Sequence, residues 1–151
     1  MVRGYFANSA LEQGYWALRL VYFIGPFVAG ADKFVHWLVD WNKYLSPVFA
    51  GLLPMGPGAF MTYIVGPVEM IVGLLVLFGV TRIGGYLASL WLAGIVVNLL
   101  SMGLLYGDIA LRDIGLCLGA FALAKLTEAR MAQRTVVTET DVVYRDDRLA
   151  A

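Results

Sequence analysis

The sequence contains very few of the residues on which most redox and metal chemistry depends. Cys117 is the only cysteine and His36 the only histidine among 151 residues. A single cysteine excludes an intrachain disulfide, a CxxC redox pair and a thiolate metal cluster. A single histidine excludes a bis-histidine haem held within one chain. We therefore predict no metal site and no intrinsic cofactor.

Charged residues are also scarce. Asp, Glu, Lys and Arg make up 15% of the chain, whereas a typical soluble domain has about 25%. Hydrophobic residues make up 60%, and the mean hydropathy is +0.76. The formal net charge is zero, so no long-range field favours nucleic acid as a partner. This composition predicts an integral membrane protein of one domain, with the lipid bilayer as its surroundings.

The N-terminus lacks the pattern of a cleaved signal sequence. Arg3 is a weak basic region, Arg19 interrupts the first apolar run, and no small-x-small cleavage site follows promptly. We therefore expect the first apolar segment to be a structural helix of the protein.

Four apolar segments approach the length of about 20 residues that a membrane-spanning helix needs. We predict spans over about 14–30, 61–80, 86–105 and 109–126. These spans form a single membrane domain over residues 1–126, followed by a polar tail over 127–151. Pro26 is expected to kink the first span, which neighbouring helices make tolerable.

The segment 31–60 mixes charges, aromatic residues, prolines and glycines. Five of its residues fall at helical spacing on one face: Trp37, Leu38, Trp41, Tyr44 and Leu45. We predict a short amphipathic helix in the membrane interface, followed by an irregular loop. The predicted fold class is all-α, an integral membrane bundle of four transmembrane helices with a short interfacial helix in the first outer loop.

The tail leaves two structural alternatives. The last helix is expected to continue to about Gln133. The piece 134–145 alternates partly and could add a strand to a partner's sheet edge. A disordered tail is the simpler interpretation, and we favour it because termini are poorly ordered unless they are docked.

Basic residues predict the orientation. Four spans place both termini on one side, together with the following basic residues: Arg3, Arg82, Lys125, Arg130, Arg134, Arg145 and Arg148. The opposite side carries only Lys33, Lys43 and Arg112. The positive-inside rule then places both termini in the cytoplasm and the segment 31–60 outside.

Glu69 is the one ionisable residue inside the second span. A carboxylate at mid-membrane is costly, about 2.5 kcal/mol or more on insertion scales for Asp. Glu69 should therefore face the bundle, pair with a cation or carry a proton. A structural ion pair that fixes helix register and a ligand-binding or proton-carrying carboxylate are equally compatible with the sequence. Lys33 and Arg112 are its best partner candidates.

Other polar residues are expected at similar depth. Lys33, Asn98, Arg112 and Asp113 fall in the outer half of the predicted bundle, where they could meet Glu69 and bind a ligand. Each also has a simpler interpretation. Asn98 could hydrogen-bond between helices, and Arg112 with Asp113 could sit at the headgroups, with Asp108 as an i,i+4 partner of Arg112.

Several segments resemble the DoxX-like family. LRLVYFIGPFVAGADKF carries a Leu-Arg pair, an apolar run and Ala-Gly-x-x-Lys-Phe, which is similar to the first helix of that family. GPVEMIVGLLVLFGVTRIGGYLAS resembles its second helix, with a mid-span Glu and a Gly-x-x-Arg turn, and WLAGIVVNLL and DIALRDIGLCLGAFALAKL resemble the third and fourth. The family-pattern residues are Arg19, Lys33, Glu69, Arg82, Asn98 and Asp113. Together these segments cover about residues 15–126.

The resemblance implies a multi-pass protein of the prokaryotic cytoplasmic membrane. Family members include small subunits of thiosulfate:quinone oxidoreductase. The chain contains no haem, flavin or iron–sulfur motif that would let it transfer electrons alone. We therefore predict a non-catalytic accessory subunit of a quinone-linked membrane oxidoreductase, with a redox-complex partner and a bound quinone near Glu69. The alternatives are an oligomeric small-solute transporter, because four helices enclose little pore alone, and a structural assembly factor.

Overall fold

The computed structural model describes the backbone of residues 10–149 and the side chains of residues 10–133. Four long helices form the fold: α1 (Ala10–Val35), α2 (Pro57–Leu77), α3 (Thr81–Leu100) and α4 (Gly107–Leu149). No strand occurs among the described residues. The all-α prediction is therefore confirmed.

The helices run antiparallel in chain order. α1 packs mainly on α2 and α3 mainly on α4, so the bundle consists of two helical hairpins joined by the α2–α3 contact. We call the end that carries residues 36–56 the loop end, and the opposite end, where α4 continues past α1, the tail end. An ion pair between Glu12 and Arg130 connects α1 and α4 at the tail end.

α2 is not a uniform α-helix. It begins with the α-helical turn Pro57–Phe60, widens to a π-helical turn over Met61–Val65 and returns to α-helix over Gly66–Leu77. Pro67 explains the wide turn, because it has no N–H and its ring would clash with the carbonyl four residues earlier. Such π turns often occur at functional sites, and Met61 and Val65 at its two ends are buried.

Glycines set the distance between α1 and α2. A Cβ atom on Gly30 would lie 2.5 Å from the Gly66 carbonyl oxygen, and a Cβ atom on Gly73 would lie 2.8 Å from the Phe23 carbonyl oxygen. Only glycine allows the two backbones to approach this closely. The close approach brings the side chains of α1 and α2 within direct contact across the seam.

The predicted boundaries of the second and third spans are wrong by several residues. The turn between the two helices lies at Phe78–Val80, and Gly79 supplies its positive φ of 94°. Thr81 already belongs to α3, and its hydroxyl donates a hydrogen bond to the Val76 carbonyl. The third helix is therefore Thr81–Leu100 and not 86–105.

The amphipathic helix predicted in the outer loop is present only as one 3-10 turn, Trp41–Tyr44, which is followed by one α-helical turn, Pro47–Ala50. The helical face expected to include Trp37 and Leu38 does not form. The Asp32 carboxylate accepts hydrogen bonds from the backbone N–H groups of these two residues, and His36 adopts a positive φ of 56°. Both features end α1 and turn the chain.

The preference for a disordered tail is also wrong, as is the strand alternative. α4 continues without interruption through residue 149. No glycine or proline follows Gly119 in this helix, so nothing in the sequence forces it to end. The side chains of residues 134–149 lie outside the described residues.

Two helices, Pro57–Leu77 and Thr81–Leu100, are long and apolar enough to cross a membrane by length and composition. Only 39% and 28% of their most apolar windows are buried, whereas the core helix of a soluble protein is mostly buried. Large apolar side chains are exposed on the outer faces of all four helices, among them Ile24, Val28, Ile71, Leu90, Leu111 and Leu118. The spans predicted within α1 and α4 stay predictions.

The close approach of α1 and α2 can be tested at Gly30. We expect Gly30→Ala to destabilise the protein by about 1–3 kcal/mol, the usual range for overpacking, because the new methyl group would overlap the Gly66 carbonyl and Met70. Gly14→Ala is the control, since a Cβ atom there meets nothing within 4 Å. Unfolding in detergent micelles measures both variants. Equal stability of the two variants would contradict this packing.

Candidate functional site

A cavity of about 670 Å³ lies between the helices toward the loop end. Its walls are mostly apolar and come from all four helices and from the outer loop. All five residues predicted to bind a ligand line it: Lys33, Glu69, Asn98, Arg112 and Asp113. The structure therefore brings these five side chains to one space. That they bind a ligand stays a prediction.

A buried ion pair connects α1 to α2 at this cavity. The Lys33 ammonium lies 2.5 Å from the Glu69 carboxylate, and the two side chains are 2% and 9% exposed. Side chains on a helix point toward its N-terminus, so Lys33 extends from the loop end into the bundle and also donates to the Ala29 carbonyl at 3.3 Å. The ion pair matches the structural interpretation of Glu69 and leaves a ligand-binding role open.

Two tryptophans flank this ion pair. The Lys33 ammonium lies 3.7 Å from the ring centroid of Trp41, a cation–π contact. The Trp91 indole N–H points at the second Glu69 oxygen across 3.5 Å, at the long limit of a hydrogen bond. The sequence analysis placed Trp41 on an interfacial helix and missed Trp91. The missed signal is that Trp91 lies seven residues, two helical turns, before Asn98 and so shares its face of α3.

Asp113 and Arg112 form a second ion pair at the cavity. Both Arg112 Nε and Nη2 lie 3.0 Å from one Asp113 oxygen. The two side chains differ in burial, since that of Asp113 is 6% exposed and that of Arg112 is 65% exposed. Asp113 therefore faces the bundle, and Arg112 lies at the edge of the cavity. The structure pairs Arg112 with its neighbour in sequence and not with Asp108.

Asn98 holds the outer loop over the cavity. Its side-chain oxygen accepts a hydrogen bond from the Ser46 N–H at 3.0 Å, and its amide group donates to the Tyr44 carbonyl at 2.6 Å. The Ser46 and Ser101 hydroxyls are 2.6 Å apart and reinforce the same junction. Both ends of the Asn98 amide are therefore engaged by the loop, which favours a positioning role over direct contact with a ligand.

Asp32 is the residue that sequence reasoning missed most clearly. Its carboxylate is buried and accepts hydrogen bonds from the Trp37 and Leu38 N–H groups and from the Trp41 indole at 2.7 Å. Burial raises the pKa of this carboxyl, but these hydrogen bonds outweigh that effect and hold the pKa below its ordinary value. Asp32 thereby fixes the Trp41 ring that covers Lys33. The signal available in the sequence was that Asp32 directly precedes Lys33, a predicted site residue.

The two remaining family-pattern residues lie away from the cavity. Arg19 donates to the last carbonyls of α2, Val76 at 3.0 Å and Leu77 at 2.7 Å, and so caps that helix. Arg82 is half exposed at the tail end, 4.0 Å from Glu128. Neither residue lines the cavity.

The chemistry of the cavity is that of an apolar space with a few convergent polar groups, which is typical of small-molecule sites. Its hydrogen-bond donors include the Arg112 guanidinium, the Trp91 indole and the Lys33 ammonium. Among residues 10–133, no group of three His, Cys, Asp or Glu side chains could hold a metal ion. The arrangement suits an uncharged organic molecule with acceptor oxygens.

No protein-family model, curated protein or solved structure matches this chain. The resemblance of its four helices to the DoxX-like family therefore stays a prediction. The interpretation of the cavity depends on the geometry of its own residues.

The Lys33–Glu69 pair can be tested by a double-mutant cycle. Lys33→Met leaves a carboxylate buried without its cation, which costs about 3–5 kcal/mol when a buried pair is broken. We expect Lys33→Met with Glu69→Leu to recover most of that loss, because both charges are then absent. Unfolding in micelles measures each variant, with Lys43→Met on the exposed loop as the control. Additive losses in the double variant would show that the two charges do not interact.

The role of Asp32 predicts a pH dependence of the outer loop. Because the pKa of its carboxyl in the fold lies below the ordinary value of 3.8, its contribution to stability is present above that value. This contribution is lost as the pH falls through the lower, folded-state pKa. The NMR resonance of the Trp41 indole N–H, assigned with Trp41→Phe, should shift in this acid range. Asp32→Asn should abolish the transition; a transition that persists in this variant would assign it to another group.

Proposed function

We propose that this chain is an integral membrane protein of the DoxX-like type that binds a quinone-class lipid and serves as an accessory subunit of a membrane oxidoreductase. The observation that carries the proposal is the cavity of about 670 Å³ with the Lys33–Glu69 ion pair in its wall. A charge pair between apolar helices is stable only if protein surrounds it. The apolar cavity beside the pair is large enough to hold a ligand.

The membrane part of the proposal rests on the exposed faces of the helices. α2 and α3 are apolar enough to span, and α1, with 26 residues, is about 39 Å long at 1.5 Å per residue. α1 and α4 pack against these two helices and expose apolar side chains on the same outer surface. Contiguous exposed apolar surface of this extent needs lipid or protein cover. This arrangement, the basic residues of the tail end and the family resemblance support the proposal of four spans in a prokaryotic cytoplasmic membrane, with both termini in the cytoplasm.

The residues of the cavity fit a quinone. A quinone ring presents two carbonyl oxygens, which need donors, and an apolar tail, which needs an apolar channel. Arg112 still has N–H groups beyond those that face Asp113, and the Trp91 indole lies on the opposite helix of the cavity wall. When bound, a quinone supplies two-electron, two-proton redox chemistry. Glu69 would accept a hydrogen bond or proton, Lys33 would balance its charge, and Arg112 would donate to the ligand.

The chain's few redox-active residues support the accessory role in this proposal. The sequence contains no motif for an electron-carrying group, as its single cysteine and single histidine illustrate. Electrons would therefore come from a partner protein in the membrane. The long extension of α4 beyond the bundle offers such a partner a contact on the cytoplasmic side.

Native mass spectrometry of the protein, taken gently from its own membrane, tests the proposal. We expect a bound quinone-sized molecule or a co-purifying redox subunit. Trp91→Phe and Glu69→Gln should each reduce the bound quinone severalfold, because they remove polar contacts in the cavity. Glu128→Gln at the tail end is the control and should retain it. Trp91→Phe removes neither charge of the ion pair, so it tests the indole N–H separately from the pair.

A bare oligomer with only bulk phospholipid would refute the quinone proposal. Solute uptake by the purified protein in liposomes would then identify a transporter. Co-purification of a partner that carries no redox group, and without a ligand, would point to an assembly factor, and Glu69→Gln would in that case lower stability alone.

A further inference from the structure

The cavity has an opening on one side of the bundle. Half of its lining residues on α2 and α3 are buried, among them Met61, Val65, Val72, Ala88 and Leu99. By contrast, Val21 and Gly25 on α1 and Arg112 on α4 line the cavity and are also exposed, Val21 by 51% and the Arg112 side chain by 65%. Three of the five lining residues that are also exposed therefore lie at the α1–α4 seam, and the other two are Phe49 in the outer loop and Gly94 on α3.

The seam is closed toward the tail end and open toward the loop end. The Tyr22 hydroxyl donates to the Leu116 carbonyl at 2.5 Å, and its ring lies against Gly119. Because α1 and α4 are antiparallel, Gly25 lies one turn above Tyr22 and Arg112 one turn above Leu116, on the loop side of this contact. A Cβ atom built on Gly25 or Gly115 meets nothing within 4 Å. The opening thus begins on the loop side of the Tyr22–Leu116 hydrogen bond, one helical turn from it.

A second, smaller space lies on the opposite face. It is an apolar groove of about 310 Å³ between α2 and α3. Val72, Trp91 and Gly94 line both the groove and the cavity, so these residues separate the two spaces. Trp91 lines both spaces. α2 and α3 contact each other more extensively than α1 and α4 do, which makes the α2–α3 seam the less open of the two.

The charges in the cavity sum to zero. The four charged residues in its lining are two cations and two anions, and each cation is within 3.0 Å of one anion. A ligand with a net charge would leave one buried charge without compensation, which is unfavourable in a low-dielectric site. The exposed guanidinium of Arg112 retains donor groups at the mouth, where a ligand with acceptor oxygens would meet it first.

We propose that the ligand is a net-neutral, lipid-soluble molecule with carbonyl-type oxygens that reaches the cavity sideways from the bilayer between α1 and α4, with Arg112 as its first polar contact. This inference rests on the proposed function and specifies its ligand class and its access route. The Tyr22–Leu116 contact closes the portal on its tail-end side, and the absence of a side chain at Gly25 keeps the portal open.

The access route is tested with decylubiquinone as the probe and the protein in lipid nanodiscs. Quenching of tryptophan fluorescence follows binding, because Trp41 and Trp91 line the cavity. We expect Gly25→Leu to slow association at least tenfold, the factor that about 1.4 kcal/mol of added barrier produces. Gly14→Leu is the matched control on the same helix: a Cβ atom there also meets nothing within 4 Å, and residue 14 lies outside the cavity lining.

The outcomes separate the two proposals. Absence of any quenching in the wild-type protein would refute the proposed quinone binding and this inference with it. Normal quenching in the wild type with equal rates in Gly25→Leu would overturn the portal alone. Slowing by Gly94→Leu in place of Gly25→Leu would move the portal to the α2–α3 seam and would also overturn the inference.

Charge selectivity is tested by competition with two probes that share one chain. Methyl dodecanoate is neutral and carries a carbonyl oxygen, whereas dodecanoate at alkaline pH is an anion. We expect the ester to displace decylubiquinone and dodecanoate to fail. Asp113→Asn removes one anion from the cavity, so dodecanoate should become an effective competitor. Its affinity should rise roughly tenfold for each 1.4 kcal/mol of binding free energy gained. Such a gain of binding cannot result from misfolding. Equal competition by both probes in the wild type would overturn the neutral-ligand assignment.

Discussion

The Lys33–Glu69 ion pair is the interaction on which the rest of the structure depends. Two opposite charges 2.5 Å apart and almost fully buried are stable only if the surrounding protein excludes solvent and supplies further contacts. The close backbone approach at Gly30 and Gly66 brings the two helices near enough for the pair to form. The Trp41 ring then covers the ammonium on its remaining side. The packing of α1 on α2, the conformation of the outer loop and part of the cavity wall therefore all depend on this ion pair.

The outer loop covers the cavity at the loop end because buried polar groups hold the loop at two places. Asp32 fixes its beginning and orients Trp41, and Asn98 fixes Tyr44 and Ser46 further along. Each of these side chains satisfies backbone groups that would otherwise be buried without partners. A loop held in this way encloses the cavity at the loop end and leaves the seam between α1 and α4 as its main opening. The same polar residues thus determine both the shape of the site and the direction of access.

Prediction from the sequence succeeded where a single strong physical constraint acted. The cost of a charge in an apolar helix identified Glu69, and the same reasoning named Lys33 and Arg112 as its partner candidates. The structure pairs Glu69 with Lys33 and Arg112 with Asp113. The meeting of Asn98, Arg112 and Asp113 at one cavity was also anticipated. Prediction failed where local signals compete. The Pro- and Gly-rich outer loop was expected to begin with an amphipathic helix, but Asp32 captures the backbone N–H groups of residues 37 and 38. The polar composition of the tail suggested disorder, yet nothing in it ends a helix.

The sequence by itself determined the helical class, the apolar surfaces and the need of Glu69 for a cation, because helix periodicity and the energy of buried charge act over short stretches and depend little on partners. Only the tertiary structure decided what each polar residue contacts. The sequence alone allowed many partners for Asn98 and Arg112. The packing of the helices brings Asn98 into hydrogen bonds with the outer loop and places Arg112 at the mouth of the cavity. The cavity and its portal also belong to the tertiary structure, since they are spaces between helices and no residue encodes them alone.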